Sequence, residues 1–300
     1  MASVETMIAS SPASAVSNSS PTLDPRAPVG IFDSGLGGLS VLRAVRSVLP
    51  NEALVYVADS LYAPYGERDD DFIADRTLAI GEWLVAQGAK ALIVACNTAT
   101  AQSIALVREK LPIQLIGVEP GVKPAALQSK SRVAGVLATR VTLRSARFQG
   151  LLERYASDCR FLCQPGLGLV EAVERCDIES SELRALLASY VQPMLDAGAD
   201  TLVLGCTHYP FLDAAIRDIA GDRLTLIDTS IAIARQLERV LDQQGLRSPE
   251  RDAAPQPRFC STSDGAHLKQ LTARLLDIDA PVERVHIPSR RTLAQDSHAA

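Results

Sequence analysis

The chain repeats itself, and that repeat limits what it can fold into. GAKALIVACNT at residues 88–98 aligns without a gap to GADTLVLGCTH at residues 198–208, with Gly, Ala, Leu and Cys identical and the remaining strand positions conservatively exchanged. Both segments follow an apolar helical stretch. Leu115-Ile116 is echoed by Leu226-Ile227 at almost the same offset, and the apolar run 133–138 leads into Thr139 much as 29–32 leads into Asp33-Ser34. Shared Gly–apolar–small phrases are common in α/β strands and account for the apolar positions. They do not account for a cysteine closing the strand in both copies, followed at once by Asn-Thr and by Thr-His. Two similar halves, each presenting one cysteine at a strand end, are therefore expected.

The segments between the repeats fix the fold class. Residues 29–32, 54–57, 91–95 and 115–118 read as short buried strands. Leu39, Leu42, Val45 and Leu49, and then Ile73, Ile80 and Leu84, recur at helical spacing, the second helix stopping near Gly88. Strands alternating with helices predict an α/β fold built on parallel, doubly wound sheets. The 300 residues, 47 % hydrophobic and 22 % charged, supply a core without disulfide staples. A net charge of −5 offers no footprint for nucleic acid. No apolar run reaches the roughly 18 residues of a membrane span. The Ser/Ala/Pro-rich residues 1–28 lack the basic-then-apolar order of a secretory signal and are expected to be a disordered tail, with a flexible tail at 289–300. With no export signal, the six cysteines are expected to be reduced. Cys159 and Cys163 lack the spaced Cys/His partners of a zinc site, so they, like Cys176 and Cys260, read as small apolar residues, and no metal site is expected.

In a doubly wound sheet, ligands bind beyond the carboxyl ends of the strands. Asp33-Ser34, Cys96-Asn97-Thr98, Thr139 to Thr142, and Cys206-Thr207-His208 all fall there. Each is expected to precede a helix, whose N-terminal amides favour carboxylates and thiolates. DSGLGG at 33–38 lacks the Lys-Ser/Thr ending of a phosphate loop and fits G-x-G-x-x-G poorly, so it reads as a tight turn presenting Asp33 and Ser34. One thiol from each half, facing across a cleft, suits a reaction whose substrate and product are mirror images. One thiolate strips an α-proton to leave a planar carbanion, and the opposing thiol delivers a proton to the other face. Asp33 beside Cys96, and His208 two residues beyond Cys206, are the candidates to manage the thiol protons.

GIFDSGLGG (30–38), ADS (58–60), PYG (64–66), ACNT (95–98) and LGCTH (204–208) resemble, in order and with fitting separations, the motifs of the glutamate racemases of the aspartate/glutamate racemase superfamily. The resemblance runs from about residue 29 to residue 241, and PYG is what narrows it from amino-acid racemases to glutamate. It implies two pseudo-symmetric α/β domains, residues 29–121 plus 232–288 and residues 122–231, with the active site in the cleft between them. It implies cofactor-independent interconversion of L- and D-glutamate in the cytoplasm, supplying D-glutamate for peptidoglycan. Cys96 and Cys206 are the implied bases, Cys96 facing the α-proton of D-glutamate and Cys206 that of L-glutamate. Asp33, His208 and Glu174, the last in preference to Glu171, are the implied assisting residues. Ser34, Pro64, Tyr65, Gly66, Asn97, Thr98, Thr139, Thr142 and Thr207 are implied substrate contacts, together with Asp33, His208 and the two thiols.

The resemblance further implies a homodimer and a peptidoglycan-precursor activator, with no membrane or direct nucleic-acid partner. Pyridoxal phosphate is not expected, because none of the five lysines lies in the strand-end constellation. The alternatives are a racemase of aspartate or another amino acid, or a regulatory relative without turnover; retention of both cysteines and their partners weighs against the latter. Three departures stand out. Val141 occupies a position where the family carries a small or polar residue, Asp228-Thr-Ser230 is a local turn variation, and 243–258 is a loop without a catalytic motif.

Overall fold

The computed structural model describes residues 23–289. The expected tail residues 1–22 and 290–300 lie outside the described residues. The first half runs β1 (Val29–Asp33), α1 (Leu39–Val48), β2 (Leu54–Ala58), α2 (Asp70–Ala86), β3 (Ala91–Val94), α3 (Asn97–Lys110) and β4 (Gln114–Gly117). The second runs α4 (Val122–Gln128), β5 (Val133–Ala138), α5 (Arg140–Arg144), α6 (Ala146–Tyr155), β6 (Arg160–Pro165), α7 (Leu169–Glu174), α8 (Ser181–Asp196), β7 (Thr201–Gly205), α9 (Asp213–Ala220) and β8 (Thr225–Ile227). The chain closes with α10 (Ser230–Gln244), β9 (Arg258–Ser261), α11 (Ala266–Leu276) and β10 (Val282–Arg284).

Every strand pairing is parallel. One sheet has the order β10-β9-β2-β1-β3-β4 and the other β6-β5-β7-β8. The second sheet is thus the first four strands of the chain over again, with β9 and β10 added to the edge of the first. In both sheets the winding reverses between equivalent strands, β1/β3 and β5/β7. That reversal opens the crevice in which doubly wound folds hold ligands.

The sequence repeat has a physical cause at its start. Gly88 and Gly198 end α2 and α8 with φ of +82° and +89°, a backbone region that L side chains rarely adopt. In each case the following alanine amide reaches back to close the helix, Ala89 to the Leu84 carbonyl and Ala199 to that of Met194, both at 3.0 Å. Leu92 and Leu202 then enter the core with no exposed surface.

Helix α10 leaves the second half at Asp228, whose carboxylate accepts from the Ser230 amide and hydroxyl at 2.9 and 2.8 Å. It returns to the first half, where Ile233, Leu237 and Leu241 join Leu39, Leu42 and Val45 in one apolar cluster. The segment before β1 is also tied down. Pro25 offers its carbonyl to the buried Lys90 ammonium at 2.5 Å, and Lys90 pairs with the buried Glu52 carboxylate at 2.5 Å.

Candidate active site

The strand ends of the two halves face one cavity of about 440 Å³, and both Cys96 and Cys206 line it. Their surroundings differ. Cys96 follows β3 as the N-cap of α3, and its Sγ accepts the Ala99 amide at 3.4 Å and lies 3.4 Å from Ser34 Oγ. Burial pushes this thiol up to about 12, the neighbouring Asp33 carboxylate adds to the effect, and Ser34 and the Ala99 amide oppose it. Cys96 therefore rests as the neutral thiol, a proton donor.

Cys206 does not have the helix start that its sequence suggests. Residues 206–208 turn into a single 3₁₀ turn, Tyr209–Leu212, and α9 begins only at Asp213. Pro210 within that turn is the overlooked signal, since it has no amide hydrogen to offer. In place of helix amides, His208 Nδ1 lies 3.6 Å from Cys206 Sγ, and His208 Nε2 lies 2.5 Å from Glu174 Oε1. The Leu36 amide donates to the same Glu174 oxygen at 2.7 Å. Burial alone would lower the His208 pKa, but its hydrogen bonds to Cys206 and Glu174 outweigh burial and raise it well above the usual imidazole range. His208 is thus held as an imidazolium between a sulfur and a carboxylate.

Asp33 ends β1 and is fully buried. Burial raises its pKa, and His208, the Gly35 amide and the Thr207 hydroxyl work against that rise. Its oxygens accept from Gly35 N at 2.9 Å and from Thr207 Oγ1 at 3.0 Å. Ser34 is therefore the direct partner of Cys96, and Asp33 acts from behind it while bonding across the cleft. The glycines of DSGLGG are explained by the same close approach. A Cβ on Gly35 would run into the Glu174 carboxylate, and one on Gly37 into the His208 ring and the Thr207 hydroxyl. The turn is glycine-rich because the acid–base groups of the second half pack directly on it.

Of the remaining sequence candidates, Pro64, Gly66, Asn97, Thr98, Thr139 and Thr207 border the cavity. Asn97 is 4 % exposed and its Nδ2 has no partner among the described residues. Thr98 and Thr139 join the halves by an Oγ1–Oγ1 hydrogen bond of 2.9 Å. The Tyr65 ring lines the cavity, but its hydroxyl donates to Asp59 at 2.5 Å, and the buried Arg76 donates to Asp59 from Nη2 and Nε at 2.7 and 3.0 Å. Thr142 lies one layer behind the lining, its hydroxyl accepting from Thr139 Oγ1 at 2.9 Å. It has no exposed surface and sits behind Thr139, whose side chain caps α5 through the Thr142 amide at 3.2 Å. Asp33 and Glu174 likewise stand outside the cavity lining and work through Thr207 and His208.

Sequence reasoning missed the cations at the mouth, Arg68, Arg140 and Arg144, and the loop around Leu167. Arg140 and Arg144 stand four apart on the helix that Thr139 caps, a spacing that marks one helical face. Val141 lines the cavity and belongs to the apolar cluster of Tyr65, Cys96 and Ala99. Among the described residues, no group of three or more His, Cys, Asp or Glu is arranged to hold a metal ion, and no helix is long and apolar enough to cross a membrane.

Residues 39–237 match the family described as Asp/Glu/Hydantoin racemase. The glutamate racemase of Ralstonia nicotianae is 59 % identical over 262 residues, 87 % of this chain and 94 % of that protein. Among solved structures, a glutamate racemase isoform from Bacillus anthracis superposes with a TM-score of 0.80 at 29 % identity, covering 89 % of this chain and all (100 %) of that one. The Escherichia coli glutamate racemase in complex with L-glutamate and the activator UDP-MurNAc-ala superposes with a TM-score of 0.77 at 30 % identity, over 88 % of this chain and 100 % of that one.

Proposed function

Because this chain belongs to the Asp/Glu/Hydantoin racemase family and, within it, to the glutamate racemases, we propose that it interconverts L- and D-glutamate by proton transfer at two thiols. The observation that carries this reading is the placing of Cys96 and Cys206 at equivalent strand ends on one cavity. From L-glutamate, Cys206 removes the α-proton, and Cys96, resting as the neutral thiol, delivers a proton to the opposite face. From D-glutamate the roles exchange. His208 passes the Cys206 proton to and from Glu174, Ser34 supports Cys96, and Asp33 holds Thr207 across the cleft. Asn97, with a buried and unpartnered amide, and the hydroxyls of Thr98 and Thr139 are the polar groups that meet the substrate.

In this reading the enzyme works in the cytoplasm as a homodimer and supplies D-glutamate for peptidoglycan. A peptidoglycan precursor tunes its turnover, a role supported by the activator named with the Escherichia coli enzyme. The test is circular dichroism of the purified protein with L- and with D-glutamate, in EDTA and without pyridoxal phosphate, beside a parallel assay on aspartate. Decay of ellipticity to zero from both glutamate enantiomers supports the proposal. A requirement for metal or pyridoxal phosphate, or a preference for aspartate, overturns it.

A further inference from the structure

A second cavity, of about 310 Å³, adjoins the first. Ser60, Ala63, Ser263 and His267 of the first half border it, with Glu174 and Arg175 of the second. Pro64, Val170 and Glu171 border both cavities and so form the partition between them. His208 borders only the substrate cavity and Glu174 only the second. The His208 side chain is 3 % exposed and that of Glu174 20 %. The carboxylate that ends the Cys206–His208 chain therefore has its open face on the second cavity and not on the one that the two thiols line.

We propose that this second cavity is the proton port of the Cys206 base. The inference rests on the two-thiol reading. After one turnover from L-glutamate, Cys206 carries the substrate's proton and Cys96 lacks one, so the enzyme must reset before it accepts L-glutamate again. Once Cys206 has taken the substrate's proton, the thiolate that held His208 protonated is discharged, so the imidazolium gives its Nε2 proton to Glu174 Oε1 and the Glu174 carboxylic acid releases it to water in the second cavity, leaving Cys206 and His208 with the number of protons they held before turnover. The reverse sequence reloads Cys206, and no oxidant or other reactant is involved. Among the described residues, Cys96 has no matching chain of side chains. Its partners are Ser34 and a backbone amide, and Asp33 behind it is fully buried. Cys96 therefore exchanges its proton through the substrate cavity, and the two halves, alike in fold, differ in how they meet solvent.

The test is to plug the port without touching the substrate cavity, by Ser263→Phe and, independently, by His267→Trp, so that misfolding of one plug leaves the other. Racemisation by the wild type establishes the underlying reading. Resetting lies outside kcat/KM and inside kcat, so both plugs should leave kcat/KM unchanged while kcat and KM fall together. The fall should be about tenfold, below the roughly 10²-fold that loss of a positioned proton-transfer group costs. In D₂O at saturating substrate, newly formed L-glutamate, protonated by Cys206, should also carry less deuterium than newly formed D-glutamate, protonated by Cys96. If racemisation proceeds and folded plugs leave kcat and the deuterium contents unchanged, the port is wrong. A parallel fall of kcat/KM with kcat also overturns it, because that marks damage to the site and not a slowed reset.

Discussion

Replacing Glu174 by Gln keeps the side chain's size and removes its charge from the end of the relay. In the native protein Glu174 Oε1 receives His208 Nε2 at 2.5 Å and the Leu36 amide at 2.7 Å. Without that carboxylate, burial, the strongest influence on His208, is opposed by Cys206 and the more distant Asp33, and the imidazolium loses its hydrogen-bonded counter-ion. Breaking one side of a buried pair costs roughly 3–5 kcal/mol, and a figure near the low end, about 3 kcal/mol at pH 6, follows from the 20 % exposure of Glu174. The sign of the pH dependence is set by His208. Its pKa is raised in the folded state, so the stability it contributes is complete below the unfolded value of about 6.5 and is lost as pH rises through the folded value, by at most about 1.4 kcal/mol per unit. Urea unfolding of wild type and Glu174→Gln at pH 6, 7.5 and 9 should give a stability gap that is widest at pH 6 and narrows upward. Racemisation should fall by about 10²-fold or more. A gap independent of pH, or turnover at the wild-type rate, would refute the relay.

Two further predictions concern stability. Asp200 accepts from Ser129 Oγ at 2.6 Å and from the Lys130 and Ser131 amides at 2.7 Å each; burial would raise its pKa, but these bonds prevail and hold it at about 2. That stabilisation is present above about pH 4 and lost as pH falls towards 2, so after allowance for screening Asp200→Asn should cost about 1–2 kcal/mol at pH 6, converging with wild type near pH 2 in denaturant titrations. Relative to a chain lacking residues 1–22, deleting 1–27 removes the Pro25 carbonyl from buried Lys90 and Ser248 and should cost about 1–3 kcal/mol by calorimetry; equal stability of the two truncations would show that this anchor contributes nothing.

Much of the first half was legible because its strands are short apolar runs set off by helical periodicity. The second half became legible through the repeat, whose Gly88/Gly198 and Ala89/Ala199 identities are the closing turns of equivalent helices. Strand β6 was less visible, since it is an edge strand whose positions are all half-buried or exposed. Contacts made across the cleft left no local trace. Leu36 with Glu174, and Thr207 with Asp33, are 138 and 174 residues apart, and nothing in spacing pairs them. Asp33 was expected beside Cys96, where its carboxylate does push the thiol up, but nothing in spacing showed that Ser34 is the hydrogen-bonding partner or that Thr142 stands behind Thr139. The glycines of the 33–38 turn were read as turn formers, and part of their reason is that His208 and Glu174 press on them from the other half.

The claim that each thiol serves one face of the substrate is tested most directly by elimination from a glutamate analogue with a β-leaving group, a step that needs only one-sided deprotonation. With Cys206 as the base for the L-face and Cys96 for the D-face, Cys96→Ser should still eliminate from the L-isomer and Cys206→Ser from the D-isomer. Both variants should lose racemisation by roughly 10²- to 10⁴-fold. Equal processing of both isomers by both variants, or racemisation that survives either substitution, would contradict the account.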